Sequence, residues 1–213
     1  MADAVTFYTN PMSRGQIVRW MLEEVGVPYE QHLLDYGTTM KDDAYRAINP
    51  MGKVPAIVHD GRVVTECAAI CAYLAEAFPD AGLTPAPTAR ADYFRWLFFT
   101  AGPVEQAITM THFGLEPDEQ QQQMVGFGTL TAALDALETA VAGKAFVAGD
   151  HFTAADVYVG SQIDWGLQFG TIPPRPAFEA YIAPFRERPA YQRAKAIDNA
   201  LIADMQAAGT TSA

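Results

Sequence analysis

Pro55 stands where a strand should begin, between Asn49-Pro-Met-Gly-Lys-Val54 and Ala56-Ile-Val58. A proline has no N–H to give to a sheet ladder, so the strand either starts at Pro55 or lies at an edge. A Val-Pro bond is also one of the few at which a cis peptide is affordable. With Val54-Pro55 cis, the N–H and C=O of Val54 turn out of the ladder and offer a donor and an acceptor to a peptide-like ligand. A short way on, Thr65-Glu-Cys-Ala-Ala-Ile70 opens a helix at Glu66. Its free first-turn N–H groups and positive dipole end face outward. Together these predict a dock for a small, extended, anionic peptide.

The surrounding pattern predicts an α/β domain. Val5–Tyr8 reads as a short strand. Val18, Met21, Leu22 and Val25 recur at i, i+3, i+4 and i+7, which predicts a helix from Ser13 to Gly26. Ser13 suits its N-cap and Gly26 its left-handed end. Tyr29–Leu34 reads as a second strand and Lys41–Ile48 as a short helix. Ala56–His59 and Val63–Thr65 flank Asp60-Gly61, the signal for a two-residue hairpin. Cys67, Ile70, Cys71, Leu74 and Phe78 mark one helical face. The order β-α-β-α-β-β-α suits a thioredoxin-like domain over residues 1–79.

Prolines and a glycine crowd Phe78–Pro87, which predicts a linker at 80–88. Beyond it no strand-like alternation occurs, so residues 89–213 are expected to form an all-α bundle. The helices expected are Ala89–Phe113, bent at Gly102-Pro103, then Asp118–Val141, Thr153–Phe169, Pro176–Arg186 and Ala190–Met205. Gly209–Ala213 is expected to be a loose tail.

Net charge is −11, with 6 basic and 11 acidic side chains in residues 1–80 and 8 and 14 in the rest. Neither part is basic, which excludes nucleic acid as the expected partner. An anionic ligand needs a local positive site against this field, and Lys41 and Lys53 are the candidates. No apolar run approaches a membrane span. The opening Met-Ala-Asp-Ala-Val lacks the basic region of a secretory signal. Cys67 and Cys71 lie four apart on one helix face, a spacing that favours neither a disulfide nor a dithiol motif. A cytoplasmic setting is expected. His32, His59, His112 and His151 are scattered without metal-ligand spacing, so no metal is expected.

The segment Asn49-Pro-Met-Gly-Lys-Val-Pro-Ala-Ile57 resembles the glutathione transferase family. So do Tyr8-Thr-Asn-Pro-Met-Ser-Arg-Gly15, the Glu66-Cys67 pair and Phe152-Thr-Ala-Ala-Asp156. The four stretches occur in the family's order along nearly the whole chain. The family usually has Ser where this chain has Cys67, a weaker side-chain donor. The resemblance, closest to the bacterial theta- and tau-like serine branches, implies a cytosolic homodimer that uses glutathione as co-substrate in detoxification. It implies that Ser13 stabilises the glutathione thiolate, with Tyr8 as rival and Asn10 third. It gives Val54 and Pro55 the peptide backbone, Lys41 and Lys53 the glycine carboxylate, Glu66 the γ-glutamyl amine and the Cys67 N–H the γ-glutamyl carboxylate. A hydrophobic electrophile is expected beside Tyr8, Met12, Met110, Phe113 and Trp165. A glutathione-dependent lyase, isomerase or peroxidase, and a non-catalytic ligand-binding protein, are the alternatives. Thr153-Ala-Ala-Asp156 reads as a capping box that fixes a core helix and does no chemistry.

Overall fold

The computed structural model describes residues 4–210. By contact the chain divides into two compact units. One ends at Ala81 and takes back the segment from Glu187 onward; the other is Gly82–Arg186.

The first unit contains β1 (Val5–Thr9), α1 (Gly15–Val25), β2 (Tyr29–Leu33), the short α2 (Asp43–Arg46), β3 (Ala56–His59), β4 (Arg62–Thr65) and α3 (Cys67–Ala77). This is the thioredoxin-like order that the patterning predicts. The sheet runs β2-β1-β3-β4, with β1 parallel to β2 and antiparallel to β3. A parallel pair needs a crossover, and α1 supplies it. Asp60 and Gly61 have φ of 51° and 70°, as the tight β3–β4 hairpin demands. Along β1, Val5, Phe7 and Thr9 are buried while Thr6 and Tyr8 are half-buried. Ile17, Val18, Met21 and Leu22 of α1 and Ile70, Cys71 and Leu74 of α3 are buried with Phe7 and Ile57. Large aliphatic side chains so buried contribute about 1.5–3 kcal/mol each.

The start of α1 differs from expectation: Arg14, not Ser13, holds the N-cap position. The Ser13 hydroxyl is used inside the preceding turn instead, as described below. Gly26, at φ 74°, closes the helix as expected.

The second unit contains α4 (Arg90–Phe99), α5 (Glu105–His112), α6 (Leu130–Val141), α7 (Ala154–Phe169) and α8 (Pro176–Arg186). A π-helical turn, Thr100–Val104, joins α4 to α5 and contains Pro103. The bend expected at Gly102-Pro103 is this wider turn, which tolerates a residue that cannot bond back. The helix expected over Asp118–Val141 is corrected. Only Leu130–Val141 is α-helical, capped by Thr129, whose Oγ1 accepts from the Ala132 N–H at 3.1 Å. Upstream, Asp118 Oδ1 accepts from the N–H groups of Gln120 and Gln121. The turn this starts amounts to a 3-10 segment, Gln121–Gln123. Gly126 follows, and then Gly128 at φ 65°. Two glycines so close oppose helix continuation.

The last helix, α9 (Pro189–Thr210), is longer than expected and runs into the anticipated tail; residues 211–213 lie outside the described residues. Although it follows the helical stretch in sequence, α9 packs against α1 of the first unit. Two ion pairs join them, Arg193 to Glu23 at 2.9 Å and the fully buried Arg19 to Asp198 at 2.7 Å, and Arg188, just before α9, pairs with Glu24 at 2.7 Å. Among the described residues no helix is long and apolar enough to cross a membrane.

Candidate active site

Three chain segments of the first unit carry the candidate residues: the β1–α1 turn, the loop before β3 and the start of α3. Asn10 organises the first. Its Nδ2 donates to the Leu34 carbonyl at 2.8 Å, and its Oδ1 accepts from the Met12 N–H at 2.9 Å. Its carbonyl accepts twice from Ser13, from the N–H at 3.1 Å and from the hydroxyl at 2.6 Å. The Ser13 Oγ in turn accepts from the Gly15 N–H at 2.9 Å. A Cβ on Gly15 would collide with Thr9 Oγ1 and lie 3.0 Å from Ser13 Oγ, so the turn closes only around glycine. Ser13 is buried, and Met12 beside it is exposed.

Tyr8 occupies different surroundings. Its ring stacks on His32 with centroids 5.0 Å apart and lies 5.5 Å from Tyr45 of α2. Strand alternation puts it on the sheet face opposite Phe7, whose ring meets Arg19 of α1. Burial pushes the Tyr45 hydroxyl up to about 12. Its proton therefore stays on and is donated to the Lys53 carbonyl at 2.7 Å.

That carbonyl belongs to the second segment. Asn49 Nδ2 also donates to it, at 2.8 Å, while Asn49 Oδ1 accepts from the Met51 N–H at 3.1 Å. Lys41 Nζ donates to the Gly52 carbonyl at 2.6 Å. Gly52 has φ 56°, and a Cβ there would lie 2.6 Å from the Met40 carbonyl. Lys41 is thus engaged with main chain, whereas Lys53 is exposed. The Val54–Pro55 bond is cis. Val54, half-buried, lies outside β3, which begins at Ala56.

At the third segment Glu66 is exposed and holds φ 66°, ψ 119°, outside the comfortable region for a residue with a Cβ. Such a conformation costs about 1–3 kcal/mol and recurs at functional sites. Its carbonyl accepts from the Ile70 N–H at 2.8 Å, and Cys67 is the first helical residue. Cys67 Sγ donates to the Arg14 carbonyl at 3.5 Å, which ties the α3 start to the Ser13 turn. Cys71 is fully buried, and burial pushes its thiol well above the usual range, so it is inert packing. The structure therefore joins the Ser13 turn to Cys67, and groups Lys41, Tyr45, Asn49 and Lys53 around the loop before Pro55.

In the second unit, Met110 lines a cavity of about 520 Å³ together with Leu115, Met124 and Val125, and Glu116 is its charged member. Phe113 is exposed, and Trp165 meets Phe169 edge-to-face at 6.1 Å; neither lines this cavity. The capping box forms as expected. Asp156 Oδ2 accepts from the Thr153 N–H at 2.8 Å and the Thr153 hydroxyl at 3.0 Å. Its Oδ1 accepts from the Val147 N–H and the Tyr181 hydroxyl, both at 2.7 Å. Burial raises this carboxyl and the donors pull it back. Among the described residues no group of three or more His, Cys, Asp or Glu could hold a metal ion.

Sequence reasoning did not assign Tyr45, Gln16 or Tyr36. Tyr36 donates its hydroxyl to the Met12 carbonyl at 3.1 Å, and Gln16 donates its amide to the Pro11 carbonyl at 2.6 Å. Asn10-Pro11 and Asn49-Pro50 are turn signals, and both turns are bound by side chains that arrive from elsewhere in the unit.

The family model described as Glutathione S-transferase, N-terminal domain, matches residues 12–77, and that described as Glutathione S-transferase, C-terminal domain, matches residues 95–189. Glutathione S-transferase GST-4.5 of Xanthomonas campestris pv. campestris is 30% identical over 165 residues, 72% of this chain and 76% of that one. Protein LigF of Sphingobium sp. is 41% identical over 95 residues, which span 38% of this chain and 37% of LigF. A solved sphingomonad glutathione S-transferase, complexed with glutathione, matches with a TM-score of 0.73 at 27% identity. That match covers 91% of this chain and 98% of the other.

Proposed function

Because this chain belongs to the glutathione S-transferase family, we propose that it joins the thiolate of glutathione to hydrophobic electrophiles, with Ser13 holding the sulfur ionised. One observation carries the reading. The Asn10 carbonyl that takes the Ser13 hydroxyl proton also receives the Ser13 N–H. The hydroxyl can rotate toward a sulfur without leaving that carbonyl unpaired, and its oxygen keeps the Gly15 N–H.

The energy required is modest. A free thiol has a pKa of about 8.5, and lowering it by about two units needs about 2.7 kcal/mol. A hydrogen bond to a charged acceptor contributes about 1.5–3 kcal/mol. The N-terminus of α1, which Arg14 separates from Ser13, adds a favourable dipole. Tyr8 is the weaker candidate, since its ring is stacked with His32 and lies against Tyr45.

The glutathione backbone is assigned to Val54 and Pro55, its glycine carboxylate to Lys53 and Lys41, its γ-glutamyl amine to Glu66 and its γ-glutamyl carboxylate to the Cys67 N–H. For Lys41 the assignment requires it to give up or share the Gly52 carbonyl. The net charge of −11 makes such local cations the means of holding an anionic tripeptide. In the reaction a C–S bond forms to the electrophilic carbon. In a substitution the leaving group departs with its electron pair; in an addition the neighbouring carbon takes a proton from water. Met12 and Tyr8 of the first unit are the proposed apolar contacts of the electrophile. The working form is taken to be a cytoplasmic homodimer, which sedimentation at micromolar concentration tests.

Ser13→Ala tests the central assignment. Turnover should fall about 10- to 100-fold, the loss of one charge-assisted hydrogen bond, while glutathione affinity stays within about threefold. Turnover retained in that variant would remove Ser13 from the chemistry. Absence of turnover in the unmutated protein across a broad electrophile panel, with apolar ligands still bound, would make it a binding protein.

A further inference from the structure

The turn that carries Ser13 is also held from a direction the proposed chemistry does not use. Gln16, in the first turn of α1, donates its Nε2 amide to the Pro11 carbonyl at 2.6 Å. The other end of the same amide, Oε1, accepts at 3.1 Å from Nζ of Lys195 on α9. An ammonium has donors and no acceptor, so it dictates which end of an amide faces it. With the oxygen drawn to Lys195, the NH₂ is aimed at Pro11. Lys195 is fixed in turn. Its Nζ lies 5.5 Å from the centroid of the Tyr191 ring, and that ring meets Trp20 of α1 edge-on at 5.0 Å. The ion pairs of Arg193 with Glu23 and Asp198 with Arg19, and that of Arg188 just before α9 with Glu24, set α9 itself against α1.

We propose that Gln16 is a positioning residue of the active site and that Lys195 sets its orientation, so that the last helix holds the main chain under the Ser13 hydroxyl. This rests on the reading of Ser13 as the thiolate donor. Gln16 grips the carbonyl of Pro11. The carbonyl that orients the Ser13 hydroxyl is that of Asn10, one peptide plane earlier. Adjacent planes share a Cα, so freeing the first lets the second swing.

Three variants and two kinds of readout test the proposal. Gln16→Glu keeps a partner for Lys195 and removes the donor to Pro11. Lys195→Met keeps the apolar stem and removes the ammonium, and Lys195→Arg restores a cation. Amide hydrogen exchange over residues 10–16 needs no ligand. In Gln16→Glu and Lys195→Met it should quicken about fivefold, the worth of one ordinary hydrogen bond. The thiolate absorbance of bound glutathione should titrate at higher pH in both, with kcat lowered about tenfold and KM for glutathione within about twofold. Lys195→Arg should recover both values. Unchanged exchange in Gln16→Glu overturns the proposal, and so does quickened exchange with an unmoved thiol titration. If the unmutated protein shows no thiolate band, the Ser13 reading fails by that measurement, and exchange still decides whether Gln16 and Lys195 hold the turn.

Discussion

Two helices of this chain begin after a hydroxyl residue that sequence alone would make a cap, and they begin differently. At the start of α7, Thr153 and Asp156 bind each other, and the carboxylate also takes the Val147 N–H and the Tyr181 hydroxyl. Those four donors hold a carboxylate that is wholly out of water. At the start of α1, Ser13 is not the N-cap: its oxygen accepts the Gly15 N–H, and its proton goes to a carbonyl that already has another donor. The first arrangement is closed, since breaking any bond strands a buried group. The second has one hydroxyl rotor that can be redirected at little cost. A residue free to act on a ligand is one whose departure leaves its old partners satisfied, and only the α1 start has that property.

The largest expected effect attacks the closed arrangement. Asp156→Ala leaves the Val147 and Thr153 N–H groups and the Tyr181 hydroxyl without their acceptor, which should cost about 3–5 kcal/mol in urea unfolding. Chemistry in the still-folded fraction should persist; a fully stable but inactive variant would contradict the structural role. Gly15→Ala comes next. The added Cβ collides with Thr9 Oγ1 and crowds Ser13 Oγ, for an expected loss of about 1–3 kcal/mol. If that variant melts with the unmutated protein, the α1 turn is looser than described. Ser13→Ala should cost only about 1 kcal/mol of stability, far less than its effect on turnover; a loss as large as that of Asp156→Ala would make Ser13 structural.

The smallest effect is again at the α7 entry. His151 Nδ1 lies 2.9 Å from Asp150 Oδ1, and Nε2 lies 3.2 Å from the Thr84 carbonyl. Both nitrogens can donate only in the imidazolium, and the bond to Asp150 raises the ring above its ordinary 6.5. A base raised by folding contributes fully below 6.5, and the contribution is lost as pH climbs through the folded value. The urea midpoint should therefore fall slightly from pH 5.5 to 8.5, and His151→Ala should flatten that slope. Solvent screens the pair, so an opposite slope would refute the assignment while a large one would exceed it.

What was legible in the sequence follows the same division. The capping box, the Gly26 terminus and the Asp60-Gly61 hairpin are written in neighbouring residues and form locally. The stretch after Asp118 misled because its side-chain cap does start a turn, and only the glycines at 126 and 128 end it. The use of the Ser13 hydroxyl was hidden, because its acceptor is a main-chain carbonyl that no residue type announces. The placing of α9 was hidden as well. Its partners Glu23 and Arg19, and Glu24 that pairs with Arg188 just before it, lie about 160 to 180 residues away in the chain, and helical periodicity names a face without naming what the face meets.

Because the chain leaves its first unit at Gly82 and returns at Glu187, the helical unit is in effect a long insertion between two parts of the sheet unit. On the ribosome, residues 4–81 emerge before the segment from Glu187 that completes their unit. Arg19 must wait for Asp198 before its buried charge has a counter-charge, by which time the whole of the inserted unit has been made. A chain cut short at residue 186 would therefore leave Arg19 without its counter-charge and disturb the sheet unit, although the cut lies at the end of the helical one.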